Sequence, residues 1–384
     1  MMNRIYLDHA ATTPVSEPVL EAMIPFFKNC WGNASSVYGT GREARKAVEK
    51  ARRQVAQAIG AEPREILFTG CGSESDNLAI KGTAFALKEK GRHIITTAIE
   101  HPAVLNTCRW LEKQGFEVTY ISPDKTGLID PQLIRQAIRN DTILISMMAA
   151  NNEIGTIEPV AEVGAIAREQ GICFHTDAVQ AAGAVPINVN EWNADMLSIS
   201  AHKFHGPKGT GALYVRHGTH IDSLIHGGEQ ERGLRAGTEN VPGIVGLGEA
   251  IEIASRDLSR NAARTAFLRD RLIDRILAEI PGTRLNGARE GRLPNNCNIS
   301  FKRIDGEALL LRLDLAGIAA SSGSACTAGS QEISHVLKAI GLTDQEAKGS
   351  LRLTTGTGNT EEEIDETVTA VHEIVNDLRS LFRG

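Results

Sequence analysis

The chain has 384 residues, 42% of them hydrophobic and 23% charged, with a formal net charge of −6 at pH 7. That length predicts one large α/β domain with a smaller companion, and the composition is that of a soluble enzyme. The acidic balance, with no basic block, argues against nucleic-acid partners. The N-terminal residues lack a signal-peptide layout and no apolar run is long enough to span a bilayer, so no membrane association and a cytoplasmic setting are expected.

In chain order, the pattern predicts a helix over Arg42–Ile59, a strand over Glu65–Thr69 and a helix over Glu74–Lys90. Strands follow at His93–Thr97, Glu117–Ile121 and Thr142–Met147, then a helix at Val160–Gln170. Three more strands are expected at Ile172–His175, Met196–Ser200 and Gly211–Val215. Short apolar runs alternating with helical stretches indicate an α/β fold with a mostly parallel sheet. Ligands in such folds collect at strand ends, where nearly every polar motif of this chain falls. After about Gly248 the character changes. A helical run over Val241–Ile280 leads through Pro281 and Gly282 to strands at Asn296–Phe301 and Leu351–Leu353, and a helix over Glu361–Leu381 closes the chain. No repeat or low-complexity segment interrupts this order.

Six cysteines (Cys30, Cys71, Cys108, Cys173, Cys297 and Cys326) are dispersed without a CxxC or zinc-like grouping. Neither a disulfide framework, a bound metal nor an iron–sulfur cluster is expected, and most of these thiols should be packing residues. Cys326 stands apart in Ala320-Ser-Ser-Gly-Ser-Ala-Cys-Thr-Ala-Gly-Ser330, a run of small residues. It reads either as a nucleophile with freedom to move or as a cysteine that happens to lie in a linker.

The chemistry begins with Ser200-Ala-His-Lys-Phe-His-Gly-Pro-Lys-Gly209, which places Lys203 just past a strand-like run. A lysine at the mouth of a sheet can form a Schiff base with an aldehyde cofactor; taken alone it reads as a solvated charge, and the rest of the chain reverses that reading. Phe174-His-Thr-Asp-Ala-Val-Gln180 supplies Asp177 at the end of another strand. A lysine and an acid on neighbouring strand ends suit pyridoxal phosphate, whose ring nitrogen an acid keeps protonated. Phe68-Thr-Gly-Cys-Gly-Ser-Glu-Ser-Asp-Asn-Leu-Ala-Ile80 reads as strand, tight turn and helix. Gly70 and Gly72 permit close backbone approach there, and Ser73 is expected at the N-cap. Such a start is either a phosphate site or an ordinary capped helix.

Glu100-His-Pro102 puts His101 at a helix mouth, as a ring-stacking proton shuttle or a simple cap. Asn152 follows the strand ending at Met147, as a donor to a cofactor oxygen or part of an Asn-rich turn. Arg235 and Thr238 lie in a glycine-rich loop that could bind an anion, possibly across a subunit boundary. Arg352 offers a guanidinium suited to a carboxylate. Gly206-Pro-Lys-Gly-Thr-Gly211 lacks P-loop spacing and is discounted.

Together these segments closely resemble the NifS/IscS-type cysteine desulfurases, a branch of the class V pyridoxal phosphate-dependent transaminase-like enzymes. The resemblance runs from Tyr6-Leu-Asp-His-Ala-Ala-Thr-Thr-Pro14 to Asn359-Thr-Glu-Glu-Glu-Ile-Asp365. It implies the aspartate-aminotransferase-like architecture of fold type I, with residues 14–255 forming a large cofactor domain. Residues 1–13 and 256–384 would form a smaller α+β domain carrying the cysteine loop.

By the same resemblance Lys203 would hold the cofactor and move the substrate proton. Asp177 would face the ring nitrogen, Gln180 and Asn152 the ring hydroxyl, and His101 the ring face. Gly72, Ser73, Ser200 and His202 would hold the phosphate, with Thr238 reaching over from a second subunit. Arg352 and Asn152 would bind the carboxylate of L-cysteine, and Cys326 would accept its sulfur, leaving L-alanine. A homodimer that hands sulfur to an iron–sulfur scaffold or another acceptor protein is implied. Ala34, Tyr38, Glu229 and Thr357 depart from the family's usual proline, histidine, histidine and Arg or Lys. Other readings are a class V aminotransferase, a selenocysteine lyase and a silent scaffold. An aminotransferase has no need of Cys326, the short loop fits a lyase less well, and a scaffold would be expected to have lost Lys203, Asp177 or Cys326.

Overall fold

The computed structural model describes residues 4–322 and 333–381. A short strand β1 (Ile5–Tyr6) precedes two helices, α1 (Glu17–Lys28) and α2 (Gly39–Ile59). Next comes an alternation of β2 (Ile66–Thr69), α3 (Gly72–Ala86), β3 (His93–Thr97), α4 (Pro102–Glu112), β4 (Glu117–Ile121), α5 (Pro131–Ala137), β5 (Thr142–Ser146), α6 (Val160–Gln170) and β6 (Cys173–Asp177). Two further strands, β7 (Met196–Ser200) and β8 (Gly211–Val215), complete a seven-stranded sheet of order β2-β8-β7-β6-β5-β3-β4. Only β8 runs against its neighbours.

The sequence pattern has a direct physical cause. Every residue of β2, β3, β5, β7 and β8 is buried, as expected for strands covered by helices on both faces. The edge strand β4 is more exposed. α2 turns a face of Ala44, Val48, Ala51, Val55 and Ile59 inward at helical spacing and ends at Gly60, whose φ of 72° is the left-handed stop that favours glycine. The crossovers reverse direction between β3 and β5, and the carboxyl ends of these strands open a crevice there.

Beyond the sheet, the single helical run expected over Val241–Ile280 is broken at Asp257 into α7 (Val241–Arg256) and α8 (Leu258–Glu279). The break lets α7 pack on α1 and α2 while α8 packs on the C-terminal helix. The remaining elements are β9 (Thr283–Leu285), β10 (Asn296–Phe301), α9 (Gly306–Leu315), β11 (Ile318–Ala319), α10 (His335–Ala339), α11 (Asp344–Lys348), β12 (Ser350–Thr354) and α12 (Glu361–Leu381). β9, β10 and β12 form an antiparallel sheet, and β1 pairs with β11.

Leu268, Leu272 and Ile276 of α8 meet Ile364, Val368, Val371 and Val375 of α12 over that second sheet. Ile5 and Leu7 join this core, whereas Val336 and Leu337 of α10 pack into the core of the large sheet. Among the described residues no helix is long and apolar enough to cross a membrane.

Candidate active site

The carboxyl ends of β3, β5, β6 and β7 and the start of α3 enclose a cavity of about 380 Å³. Its lining includes Gly72, Ser73, His101, Asn152, Asp177, Gln180, Ser200, His202, Lys203 and Arg352, residues brought together from positions far apart in the chain. Cys326 lies outside the described residues. Thr238 lines a separate cavity of about 130 Å³. Arg235 lines the same cavity and is engaged by Glu74, with Nε donating to Oε1 at 2.8 Å. The same carboxylate accepts the Gly70 amide, so this pair pins the 227–240 loop to the turn before α3.

Lys203 ends a short turn of helix after β7. Its Nζ donates to the carbonyls of Ala10 and Ala11 at 2.6 and 2.8 Å, and Gln180 Nε2 donates to Ala10 O at 3.0 Å. The N-terminal segment therefore forms one wall of the site. Sequence reasoning did not single out these alanines, because backbone carbonyls carry no side-chain signature. Thr13 fastens the wall, its N and Oγ1 both donating to His202 O.

Asp177 is the last residue of β6, and its Oδ1 accepts the Val179 amide at 2.9 Å. Burial pushes this acid up, opposed by that amide and by the positive charge of Lys203. Asp76, one turn into α3, lines the same cavity and is fully buried; among the described residues its Oδ1 has no hydrogen-bond partner, and His175 Nε2 lies 3.7 Å away. Burial and the nearby charge of Asp177 push Asp76 well above the usual carboxylate range. Behind them His175 bridges Ser146 Oγ and Ser198 Oγ at 2.9 and 3.0 Å, and burial lowers it to about 3, so it is neutral. Asp76 was not anticipated from sequence, where it reads as one more polar residue of an ordinary first turn.

The start of α3 differs from expectation. Cys71, not Ser73, occupies the N-cap and makes no side-chain cap bond, and the helix stops at Ala86 rather than Lys90. Ser73 therefore sits inside the first turn, whose amides have no intrahelical acceptors. A Cβ on Gly72 would lie 2.8 Å from Val179 Cγ2 and 3.3 Å from Ser200 Cβ, so only glycine lets the backbone come this close.

His101 is the N-cap of α4, its Nδ1 accepting the Ala103 amide at 3.1 Å, which places the ring proton on Nε2. Burial, then the charges of Lys203 and His335, lower its pKa to about 4, leaving a neutral ring. His202 is lowered to about 4 in the same way, by burial first and Lys203 second. In the Asn-rich turn, Asn151 does the structural work. Its Oδ1 accepts the amides of Glu153 and Ile154, which leaves Asn152 at the cavity. Ser334 bonds the buried Glu153, and His335 Nε2 pairs with Glu100 O at 2.9 Å, fixing α10 beside these turns.

The pyridoxal phosphate implied by the sequence resemblance fits this donor set. The Gly72 cradle and first-turn amides of α3, with Ser73, Ser200 and His202, make an anion pocket at a helix N-terminus. Burial raises the Asp177 carboxyl, and a protonated ring nitrogen would favour its charged form. Lys203 supplies an amine within the same lining.

Comparison with known proteins agrees. The aminotransferase class-V family model matches residues 5–367. The chain is 56% identical over 377 residues to the cysteine desulfurase IscS of Methanosarcina thermophila, covering 98% of this chain and 93% of that one. It is 53% identical over 381 residues to the protein of the same name from Dictyoglomus turgidum, covering 99% and 97%. A solved NifS-like protein superposes with a TM-score of 0.92 at 42% identity, covering 97% of this chain and 99% of the other.

Proposed function

The chain belongs to the aminotransferase class-V family and is a pyridoxal phosphate-dependent cysteine desulfurase, and we propose that the cavity at the strand ends carries out the reaction through the residues gathered there. When bound, the cofactor supplies an electron sink for the pair released at the substrate Cα. Lys203 would hold the cofactor before substrate arrives, then take the Cα proton and return one to the carbon that becomes the alanine methyl. Asp177 would hold the ring nitrogen and keep its proton in place. Gln180 and Asn152 would hold the ring hydroxyl, and the neutral His101 would lie beside the ring. Gly72, Ser73, Ser200 and His202 take the phosphate.

Arg352, with Asn152, grips the substrate carboxylate. The Cys326 thiolate attacks the substrate sulfur, and the C–S bond breaks as the S–S bond forms. L-Cysteine and the Cys326 thiol thus become L-alanine and a Cys326 persulfide, with atoms and electrons in balance. The observation that supports this assignment most is the convergence of amine, buried acid, glycine cradle and guanidinium on one cavity.

The finer reading is a cytoplasmic homodimer in which Thr238 reaches the partner's phosphate site, with sulfur passed to an iron–sulfur scaffold or another acceptor protein. The position of Thr238 away from its own chain's cavity supports that arrangement. Residues 14–255 are proposed as the cofactor domain, with 1–13 and 256–384 as the smaller one. The test is to assay purified, cofactor-loaded protein with L-cysteine, following alanine and sulfide, beside Cys326→Ala. Wild-type turnover, with a variant that keeps its cofactor absorbance but makes no alanine, supports the assignment. Equal turnover removes Cys326 from the mechanism.

A further inference from the structure

Arg352 is a charged residue in the middle of the fully buried strand β12, and its side chain is only 2% exposed. Nη1 donates to Asn152 O at 3.0 Å and Nη2 donates to Asp8 Oδ1 at 2.9 Å. The remaining nitrogen, Nε, is buried without a partner among the described residues, and the residue lines the cavity. A buried guanidinium donor left unpaired carries a desolvation cost that an incoming acceptor relieves.

Asp8 is not a chance neighbour. It follows β1 and bridges the β12 backbone at Thr354, while Leu7 O accepts the Thr354 amide at 2.7 Å. The Tyr6 hydroxyl donates to Asp8 O at 3.1 Å. The Asp8 backbone is thus fixed to the strand that carries the arginine its carboxylate holds.

We propose that Asp8 is the positioning residue for substrate-carboxylate recognition. With the Asn152 carbonyl it clamps the guanidinium from two sides, so that its remaining N–H groups meet the carboxylate as a planar fork. This rests on the reading of Arg352 as the carboxylate anchor. An aspartate beside that anchor could instead repel the substrate. Its side chain is 19% exposed, however, so water screens part of its charge, while the bond it accepts fixes the direction of a planar group. Orientation therefore outweighs repulsion.

The test separates carboxylate recognition from everything else the site does. Cofactor-loaded protein is titrated with L-alanine and with ethylamine, which lacks the carboxylate, and binding is read from cofactor absorbance. The ratio of the two affinities within one protein cancels general damage to the fold. Asp8→Asn should weaken L-alanine about tenfold, the scale of one hydrogen bond to a charged group, and leave ethylamine within about twofold. Asp8→Glu should recover part of the loss. With L-cysteine, Asp8→Asn should raise KM and leave kcat nearly unchanged. If Asp8→Asn leaves L-alanine unchanged or tightens it while Arg352→Gln weakens it, the positioning role is wrong and the anchor stands. If Arg352→Gln also keeps the preference for L-alanine, the anchor reading falls, and the role of Asp8 with it.

Discussion

Glu100 couples the fold to the site through a single buried carboxyl. Its Oε1 accepts the Thr97 hydroxyl at 2.7 Å and the Met148 amide at 2.9 Å, tying the exit of β3 to the exit of β5 one residue before His101. Oε2 is buried without a partner among the described residues. Burial pushes this acid from its ordinary 4.5 up to about 8, against the Met148 and Thr97 bonds and with a smaller push from Asp177 and Glu158. The folded protein therefore holds a proton that the unfolded chain has released. The associated stability is fully present below pH 4.5 and is lost as pH rises through 8. Glu100→Gln keeps the two accepted bonds and removes the titration, so any fixed cost of its amide cancels when two pH values are compared.

At about 1.4 kcal/mol per pH unit, the variant should gain up to about 4 kcal/mol on wild type between pH 5 and pH 9. For a chain of this size roughly 1–2 °C of Tm accompanies each kcal/mol, so the Tm difference should move by about 4–8 °C. Thermal unfolding of the cofactor-loaded pair, followed by tryptophan fluorescence, reads that difference directly. A variant-minus-wild-type Tm that stays constant or falls with rising pH would refute the reasoning, because Glu100 would then be ionised in the fold at no cost.

Three further outcomes follow from the same geometry. Gly72→Ala should lower cofactor affinity by about tenfold and cost the apoprotein about 1–3 kcal/mol, because the added methyl meets Val179 2.8 Å away whether or not the anion pocket is filled; equal affinity by cofactor-release measurement would remove the cradle argument. His101→Gln should leave the shape of the kcat/KM profile unchanged between pH 5.5 and 8, since the folded ring takes a proton only near pH 4; a vanished limb near pH 6.5 would contradict this. Arg52→Met should cost about 3–5 kcal/mol by stranding the buried Glu231 that it pairs with at 2.7 Å, and adding Glu231→Gln should restore part of the lost Tm.

The sequence by itself determined the sheet and located at strand ends most of the candidate residues that line the cavity. Fully buried strands read as continuous apolar runs, and each is followed by a polar motif at its carboxyl end, so Lys203, Asp177, His101 and Asn152 could be placed at strand ends before any packing was known. The glycine turn before α3 was legible for the same local reason, though its cap was not: a serine favours the N-cap, but the chain enters the helix two residues earlier, at Cys71. The 241–280 helix likewise read as one segment, because periodicity continues across Asp257 even though the axis does not.

Only the tertiary structure decided what lies between distant segments. The carbonyls of Ala10 and Ala11 that hold Lys203 are 193 and 192 residues away along the chain, and Asp8 is 344 from Arg352. Backbone acceptors have no sequence signature, and an aspartate near the N-terminus reads as solvated until β1 is seated against β11 and bridged to β12. Burial is likewise a property of the assembled layers. It turns Asp76, Glu100 and His175 from ordinary polar residues into groups whose protonation is set by the fold, because desolvation acts on position in the core and not on residue type.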